Sequence, residues 1–199
     1  MQIAEQKNQL RLLYRKKRAA LSKEDIRAKS KMINENFLQN LLPKIYPQNS
    51  KKIFGLYLPF GNEVESEIIA DHFIKHNIVF SYPRIVGADS PLDFIISDID
   101  QKFCTSKFFP KIIEPEKGEK IIPDIIILPL LAFDSSLTRL GMGGGFYDRS
   151  IDAFKKQKPK ILTIALAYEF QRAHEPLPIE NSDQTLDFIV TEKSIFSRS

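Results

Sequence analysis

The sequence predicts a three-layer α/β/α domain built on a mostly parallel sheet. Two continuous apolar runs carry that reading: Ile125-Ile126-Ile127-Leu128-Pro129 and Ile161 to Ala167 have the look of strands covered on both faces. Strand-like and helix-like segments also alternate along the chain, as α/β architectures require. The 199 residues suit one substantial core and hardly two, so residues 1–199 are expected to form a single domain.

Residues 3 to 20 read as a helix in which Ile3, Leu10, Leu13 and Tyr14 recur at turn-like spacing among Lys and Arg, with Lys7 and Arg11 on one face. Ser22 followed by Asp25 signals the start of a second helix, whose apolar stripe Ile26, Ile33, Phe37 and Leu41 runs to a stop at Pro43. Ile53 to Leu58 reads as a buried strand ending at Pro59, and a Gly61-Asn62 turn delivers Glu63, Glu65 and Glu67 into the start of a third helix. A second strand, Ile78 to Tyr82, closes at Pro83-Arg84; Leu92 to Ile96 forms another, and the mixture of Lys, Glu and Pro from Phe109 to Lys120 is a surface excursion. After the strand at Ile125 come a glycine-rich loop and a short helix, Tyr147 to Phe154; Phe188 to Thr191 is a brief last strand. In parallel sheets ligands gather beyond the carboxyl ends of the strands, so the loops after Leu58, Tyr82 and Leu128 should bring Glu63, Arg84 and the glycine run within mutual reach.

Composition is that of an ordinary folded protein, 43% hydrophobic and 27% charged, which argues against disorder and fibrous classes. A net charge of +4, from 29 basic and 25 acidic residues, suits anionic small molecules at least as well as nucleic acid. The single cysteine, Cys104, rules out an internal disulfide or a multi-cysteine zinc site and is read as a core residue. No segment has the ~18 uninterrupted apolar residues of a membrane span and the N-terminus lacks a signal-peptide pattern, so a cytoplasmic protein is expected. His72 and His76 lie four apart but lack the glutamate of a zinc protease motif and a third ligand, and the run Arg15-Lys16-Lys17-Arg18 reads as a solvated helix face.

The chemistry concentrates in Arg139-Leu140-Gly141-Met142-Gly143-Gly144-Gly145-Phe146-Tyr147-Asp148, which holds four of the chain's eight glycines. Without a Cβ, such a loop turns its amides inward and lets an oxyanion approach the backbone; Arg139 adds a bidentate fork, and Asp148 a hard oxygen of the kind Mg²⁺ prefers. The Walker pattern is absent, and the dinucleotide pattern fails because Phe146 stands where its third glycine would be. The residues alone leave three readings open: a nucleotide-dependent enzyme, another α/β enzyme acting on a phosphorylated sugar or coenzyme A ester, and an RNA-binding module using the basic first helix.

Pro129-Leu130-Leu131-Ala132-Phe133-Asp134 followed by Arg139 to Arg149 resembles the signature of the 5-formyltetrahydrofolate cyclo-ligase family. Lys7-Asn8-Gln9-Leu10-Arg11, Glu63-Val64-Glu65-Ser66 and Pro83-Arg84 extend the resemblance over almost the whole chain. It implies a NagB/RpiA/CoA-transferase-like fold and an ATP- and Mg²⁺-dependent conversion of 5-formyltetrahydrofolate to 5,10-methenyltetrahydrofolate by a monomer, with polyglutamylated folate as an allowed substrate and neither nucleic acid nor membrane as partner. Carried over, it implies ATP contacts from Lys7, Arg11 and Arg139 through Leu140, Gly141, Met142, Gly143, Gly144, Gly145 and Phe146 to Tyr147, with Arg139 and Tyr147 catalytic. It further implies a folate site lined by Leu58, Glu63 and Met142 to Phe146, with Arg84 a minor candidate for a folate carboxylate, and magnesium on Asp148 and Asp187.

Overall fold

The computed structural model describes residues 2–198, so the ends of the expected domain, Met1 and Ser199, lie outside the described residues. The helices are α1 (Ile3–Ala19), α2 (Lys23–Asn36), α3 (Leu42–Ile45), α4 (Glu67–Lys75) and α5 (Phe146–Lys155). The strands are β1 (Phe54–Gly55), β2 (Phe80–Arg84), β3 (Asp93–Ser97), β4 (Phe103–Thr105), β5 (Ile113–Pro115), β6 (Lys120–Ile121), β7 (Ile125–Pro129), β8 (Ala132–Phe133), β9 (Arg139–Leu140), β10 (Leu162–Leu166), β11 (Phe188–Val190) and β12 (Ile195–Ser197).

Eight strands form the main sheet in the order β12-β11-β10-β7-β1-β2-β3-β6. The five central strands are parallel, and β12, β3 and β6 add antiparallel edges. The fold is therefore the mixed α/β architecture with a mostly parallel sheet that the two apolar runs predict. Alternation explains why those runs are unbroken. Ile125 and Ile127 enter a core shared with α2 and α4, while Ile126 and Leu128 enter a second core beneath α5, and Ile164/Leu166 and Ala165/Ala167 divide in the same way.

The Ser22 signal is realised: its Oγ accepts from Asp25 N at 3.0 Å, and the stripe Ile26, Ile33, Phe37 and Leu41 is buried throughout. Pro43 does not stop the chain. A π-helical segment, Phe37–Leu41, resets the hydrogen bonding, and Pro43 then stands in the first turn of α3, where a missing N–H is tolerated. Only Glu67 of the three glutamates begins α4; Glu63 and Glu65 lie in the approach to it. Strand β2 runs through Pro83 and Arg84, which pair with β3 beyond the residues that pair with β1. The expected surface excursion instead holds β5, paired with β4, and the first residue of the edge strand β6; its Glu114 is buried and accepts from Ile85 N at 3.1 Å. Between β7 and the glycine loop stands an unforeseen hairpin, β8 and β9, tied by Asp134, whose carboxylate accepts from the amides of Ser136, Thr138 and Leu177.

Candidate active site

The carboxyl ends of β1, β2 and β7, the glycine loop, α1 and the stretch 180–184 enclose one cavity of about 790 Å³. Lys7, Arg11, Leu58, Glu63 and every residue from Arg139 to Asp148 line it, so the sequence-predicted site residues other than Asp187 and Arg84 converge. Strand alternation turns Arg84 away between two lining residues, Pro83 and Ile85.

The loop from Gly141 to Gly145 links β9 to α5. Gly143 has φ +105° and Gly145, the N-cap of α5, has φ +66°, conformations that side chains with a Cβ rarely adopt. Helix α1 grips this loop from outside: Arg11 Nε donates to Gly141 O at 3.1 Å, and Arg15 Nη2 donates to Met142 O at 2.8 Å. The loop therefore presents a fixed backbone to the cavity at the positive end of α5.

Arg139 lies behind the loop with its side chain 4% exposed. Its Nη2 is 2.7 Å from Asp148 Oδ1, close enough for an ion pair but misaligned for a hydrogen bond, and both Nε and Nη2 are buried without an acceptor. A buried guanidinium with orphaned donors on the wall of a cavity calls for an external oxyanion. Lys7 is buried as well, and its ammonium meets two carboxylates, Glu180 at 2.7 Å and Asp183. Tyr147 is raised above the usual phenol range by burial, with the charge of Glu63 adding and that of Arg139 opposing, so at neutral pH its hydroxyl keeps its proton.

Glu63 is buried at the opposite wall. Its Oε2 accepts from Phe60 N at 2.9 Å, and Oε1 lies 3.5 Å from Arg18 Nη1. Burial raises its pKa, and the Arg18 charge and then the Phe60 amide pull it back. Around it stand Leu58, Tyr57 and Phe60, together with Phe146, which meets Phe109 edge-to-face at 5.7 Å between centroids. This half of the cavity suits a flat heteroaromatic ring; the half bounded by Lys7, Arg11 and Arg139 suits phosphate.

Asp148 keeps its expected place, accepting from Gln184 N at 3.0 Å. Asp187 does not. Its Oδ2 accepts from Thr163 N and Oγ1, both at 2.8 Å, because Asp187 directly precedes β11 and ties that strand to β10; it does not line the cavity. Asp183, four residues earlier, does line it. Among the described residues no three His, Cys, Asp or Glu side chains form a metal cage, so a metal here would need ligands from a substrate. His72 of α4 and His76 just past its end lie 4.2 Å apart between ring centroids, with the rings tilted by 34°.

Sequence reasoning missed Arg15, Arg18, Phe109, Glu180 and Asp183. The run from Arg15 to Arg18 is not one solvated face: Arg15, Lys16 and Lys17 are exposed, but Arg15 also lines the cavity, and Arg18 is buried. The signal was there in the spacing, since Arg15 and Arg18 extend the helix face of Lys7 and Arg11. Glu180-Asn181-Ser182-Asp183 reads only as a loop, and nothing in it announces a partner 173 residues away.

A model of the 5-formyltetrahydrofolate cyclo-ligase family matches residues 3–192. A Mycoplasma pneumoniae protein named 5-formyltetrahydrofolate cyclo-ligase is 31% identical over 188 residues, covering 94% of this chain and 99% of its own length. A Mus musculus protein of the same name is 28% identical, with 94% of each chain covered. Among solved structures, an Aquifex aeolicus 5,10-methenyltetrahydrofolate synthetase superimposes with a TM-score of 0.78 at 30% identity, covering 97% of this chain and 95% of its own.

Proposed function

The chain belongs to the 5-formyltetrahydrofolate cyclo-ligase family, and from that premise we propose that ATP and 5-formyltetrahydrofolate meet in the cavity between Arg139 and Glu63. The reaction is the ATP-dependent conversion of 5-formyltetrahydrofolate to 5,10-methenyltetrahydrofolate, with ADP and phosphate released. The observation that carries the placement is the buried Arg139 guanidinium: Nη2 is ion-paired with Asp148, yet Nε and Nη2 make no hydrogen bond among the described residues.

A formamide oxygen is a poor leaving group. Transfer of the γ-phosphoryl group to it gives an imidate phosphate, the second folate nitrogen attacks the imidate carbon, and the ring closes as phosphate departs and that nitrogen loses its proton. Such transfers need positioning and charge neutralisation more than covalent help. In this reading Lys7, Arg11 and Arg139 neutralise the triphosphate, the amides from Leu140 to Tyr147 cradle it, and the protonated Tyr147 donates a hydrogen bond. Leu58, Glu63, Phe146 and the backbone from Met142 to Gly145 hold the folate, Glu63 accepting from pterin N–H groups.

Magnesium fits the donor set as an ion that arrives with ATP, since Mg²⁺ is commonly held by one or two carboxylates plus substrate phosphates and water. Asp148 and Asp183 would supply the carboxylates, Asp183 replacing the expected Asp187; when bound, the ion offsets charge on the phosphates. The enzyme works as a monomer in the cytoplasm, on folate with or without a polyglutamate tail.

The test follows the methenyl chromophore while ATP, folate and Mg²⁺ are varied in turn. Asp148→Asn should raise the Mg²⁺ requirement and Glu63→Gln the KM for 5-formyltetrahydrofolate. Unchanged kinetics of Asp148→Asn at limiting Mg²⁺ would remove Asp148 from the metal site.

A further inference from the structure

Arg18 closes the basic run of α1, yet it is only 6% exposed. A guanidinium withdrawn from water needs acceptors, and here they are few and distant. Nη1 lies 3.5 Å from Glu63 Oε1 and 3.5 Å from Leu130 O, and Nη2 has only the sulfur of Met142 at 3.8 Å. Glu63 is enclosed to the same degree, 6% exposed, so each charge is the other's main compensation. Their backbones are tied in place: Asn62 Nδ2 donates to Arg18 O at 3.0 Å, and the Tyr168 hydroxyl donates to Glu63 O at 3.2 Å. Arg18 thus touches the turn that carries Glu63, the end of β7 and the glycine loop.

We propose that Arg18 is a positioning residue for the folate: packed at the junction of α1, β7 and the glycine loop, it holds the Glu63 carboxylate in place as the acceptor for pterin N–H groups. The proposal rests on the reading of Glu63 as the pterin acceptor. Glu63 sits on the cavity wall with Arg18 packed behind it and against Met142 of the glycine loop, and a single long Nη1 contact leaves Glu63 Oε1 with unused acceptor capacity for a ligand.

The groups facing Glu63 are Arg18 from α1, Tyr57 beyond β1, Tyr147 from α5 and Tyr168 beyond β10. Burial raises all three phenols, so they stay neutral near pH 7 and Arg18 supplies the compensating charge. Burial already raises Glu63; without Arg18 it rises further, and the carboxyl stays protonated over a wider range. A protonated carboxyl offers a donor where the pterin presents one. Folate capture should then fail at higher pH than in the parent enzyme and recover as pH rises.

The experiment compares the full-length parent with Arg18→Met, Arg18→Lys, Glu63→Gln and the double variant Arg18→Met/Glu63→Gln. Kinetics in 5-formyltetrahydrofolate and in ATP are measured across pH, alongside thermal melts. Arg18→Met should raise the KM for 5-formyltetrahydrofolate by about tenfold or more, as loss of one partner of a buried charge pair does. The KM for ATP should change by less than about twofold, and the acidic limb of kcat/KM for folate should move to higher pH. Arg18→Lys should keep the parental limb and recover part of the KM. The double variant should bind folate no worse than Glu63→Gln, since Arg18 acts only through that carboxylate. Additive losses, an unshifted limb, or an ATP KM that rises with the folate KM would each overturn the proposal. If the melt shows Arg18→Met unfolded, the charge-preserving Arg18→Lys and the charge-balanced double variant decide by the same criteria. A Glu63→Gln enzyme with unchanged folate KM would sink the underlying pterin reading; a Glu63→Gln defect without any Arg18 defect would sink only the Arg18 proposal.

Discussion

Nε and Nη2 of the buried Arg139 guanidinium make no hydrogen bond among the described residues, and although Nη2 is ion-paired with Asp148 the unmet donors cost about 1 to 3 kcal/mol, a penalty that a bound oxyanion would lift. Arg139→Met removes the penalty together with the ligand contact. Its ATP KM should therefore rise by roughly tenfold to a hundredfold while its melting temperature without nucleotide falls little or not at all. A variant with parental ATP kinetics would show that the guanidinium is part of the scaffold alone. Gly143 makes a different demand. At φ +105° a β-branched residue is strained by about 1 to 3 kcal/mol, and a Cβ there would also sit 3.4 Å from Arg11 Cζ and Nε. Gly143→Val should weaken ATP by distorting the cradle and displacing Arg11 from Gly141 O, a change titration calorimetry would report directly. Parental ATP affinity in that variant would refute the cradle.

Helix α1 shows why a periodic pattern can mislead. Ile3, Leu10, Leu13 and Tyr14 recur at turn-like spacing, yet Ile3 and Leu13 are exposed, and the buried face carries Lys7, Tyr14 and Arg18. The helix closes the side of an anion site rather than a greasy core, so its inner face is largely basic. That is also why it is sensitive to single charges. Lys7→Met would leave Glu180 and Asp183 without their cation, so the stretch 180–184 should exchange its amide hydrogens faster and the KM for ATP should rise; slow exchange in the variant would mean that other contacts hold the stretch. Elsewhere the elements were legible where burial imposes a pattern. β7 and β10 announce themselves because both faces are covered, and α2 because one face is. The β4–β5 hairpin was not, since it leaves Phe103 and Ile113 exposed and shows no alternation. Nor did the sequence distinguish Asp183 from Asp187: both are loop aspartates, and only the register of β11 against β10 assigns Asp187 to Thr163. The glycine loop, with Arg139 before it and Asp148 after, was readable because four glycines in five positions between a cation and a carboxylate are more than one tight turn needs.

At the scale of the whole molecule, the carboxyl ends of the parallel strands open onto a cavity whose far wall is α1, and α1 adds little apolar contact of its own beyond Tyr14 and the half-buried Leu10. Its docking depends on Lys7, Arg11, Arg15 and Arg18 reaching across to other elements. A ligand that bridges α1, the glycine loop and Asp148 should therefore stabilise the fold as a unit. Binding to the native state alone adds about 2.7 kcal/mol at a hundredfold excess over Kd. For a chain of this length that corresponds to a rise of roughly 5 to 10 °C in Tm. MgATP should produce that rise, and ATP with a chelator a smaller one, because without the ion the phosphates face Asp148 and the other cavity carboxylates unscreened. The increment should also shrink in Asp148→Asn and in Arg139→Met. Equal shifts with and without the chelator would remove the metal from the site, and no shift with MgATP would remove the nucleotide from the cavity.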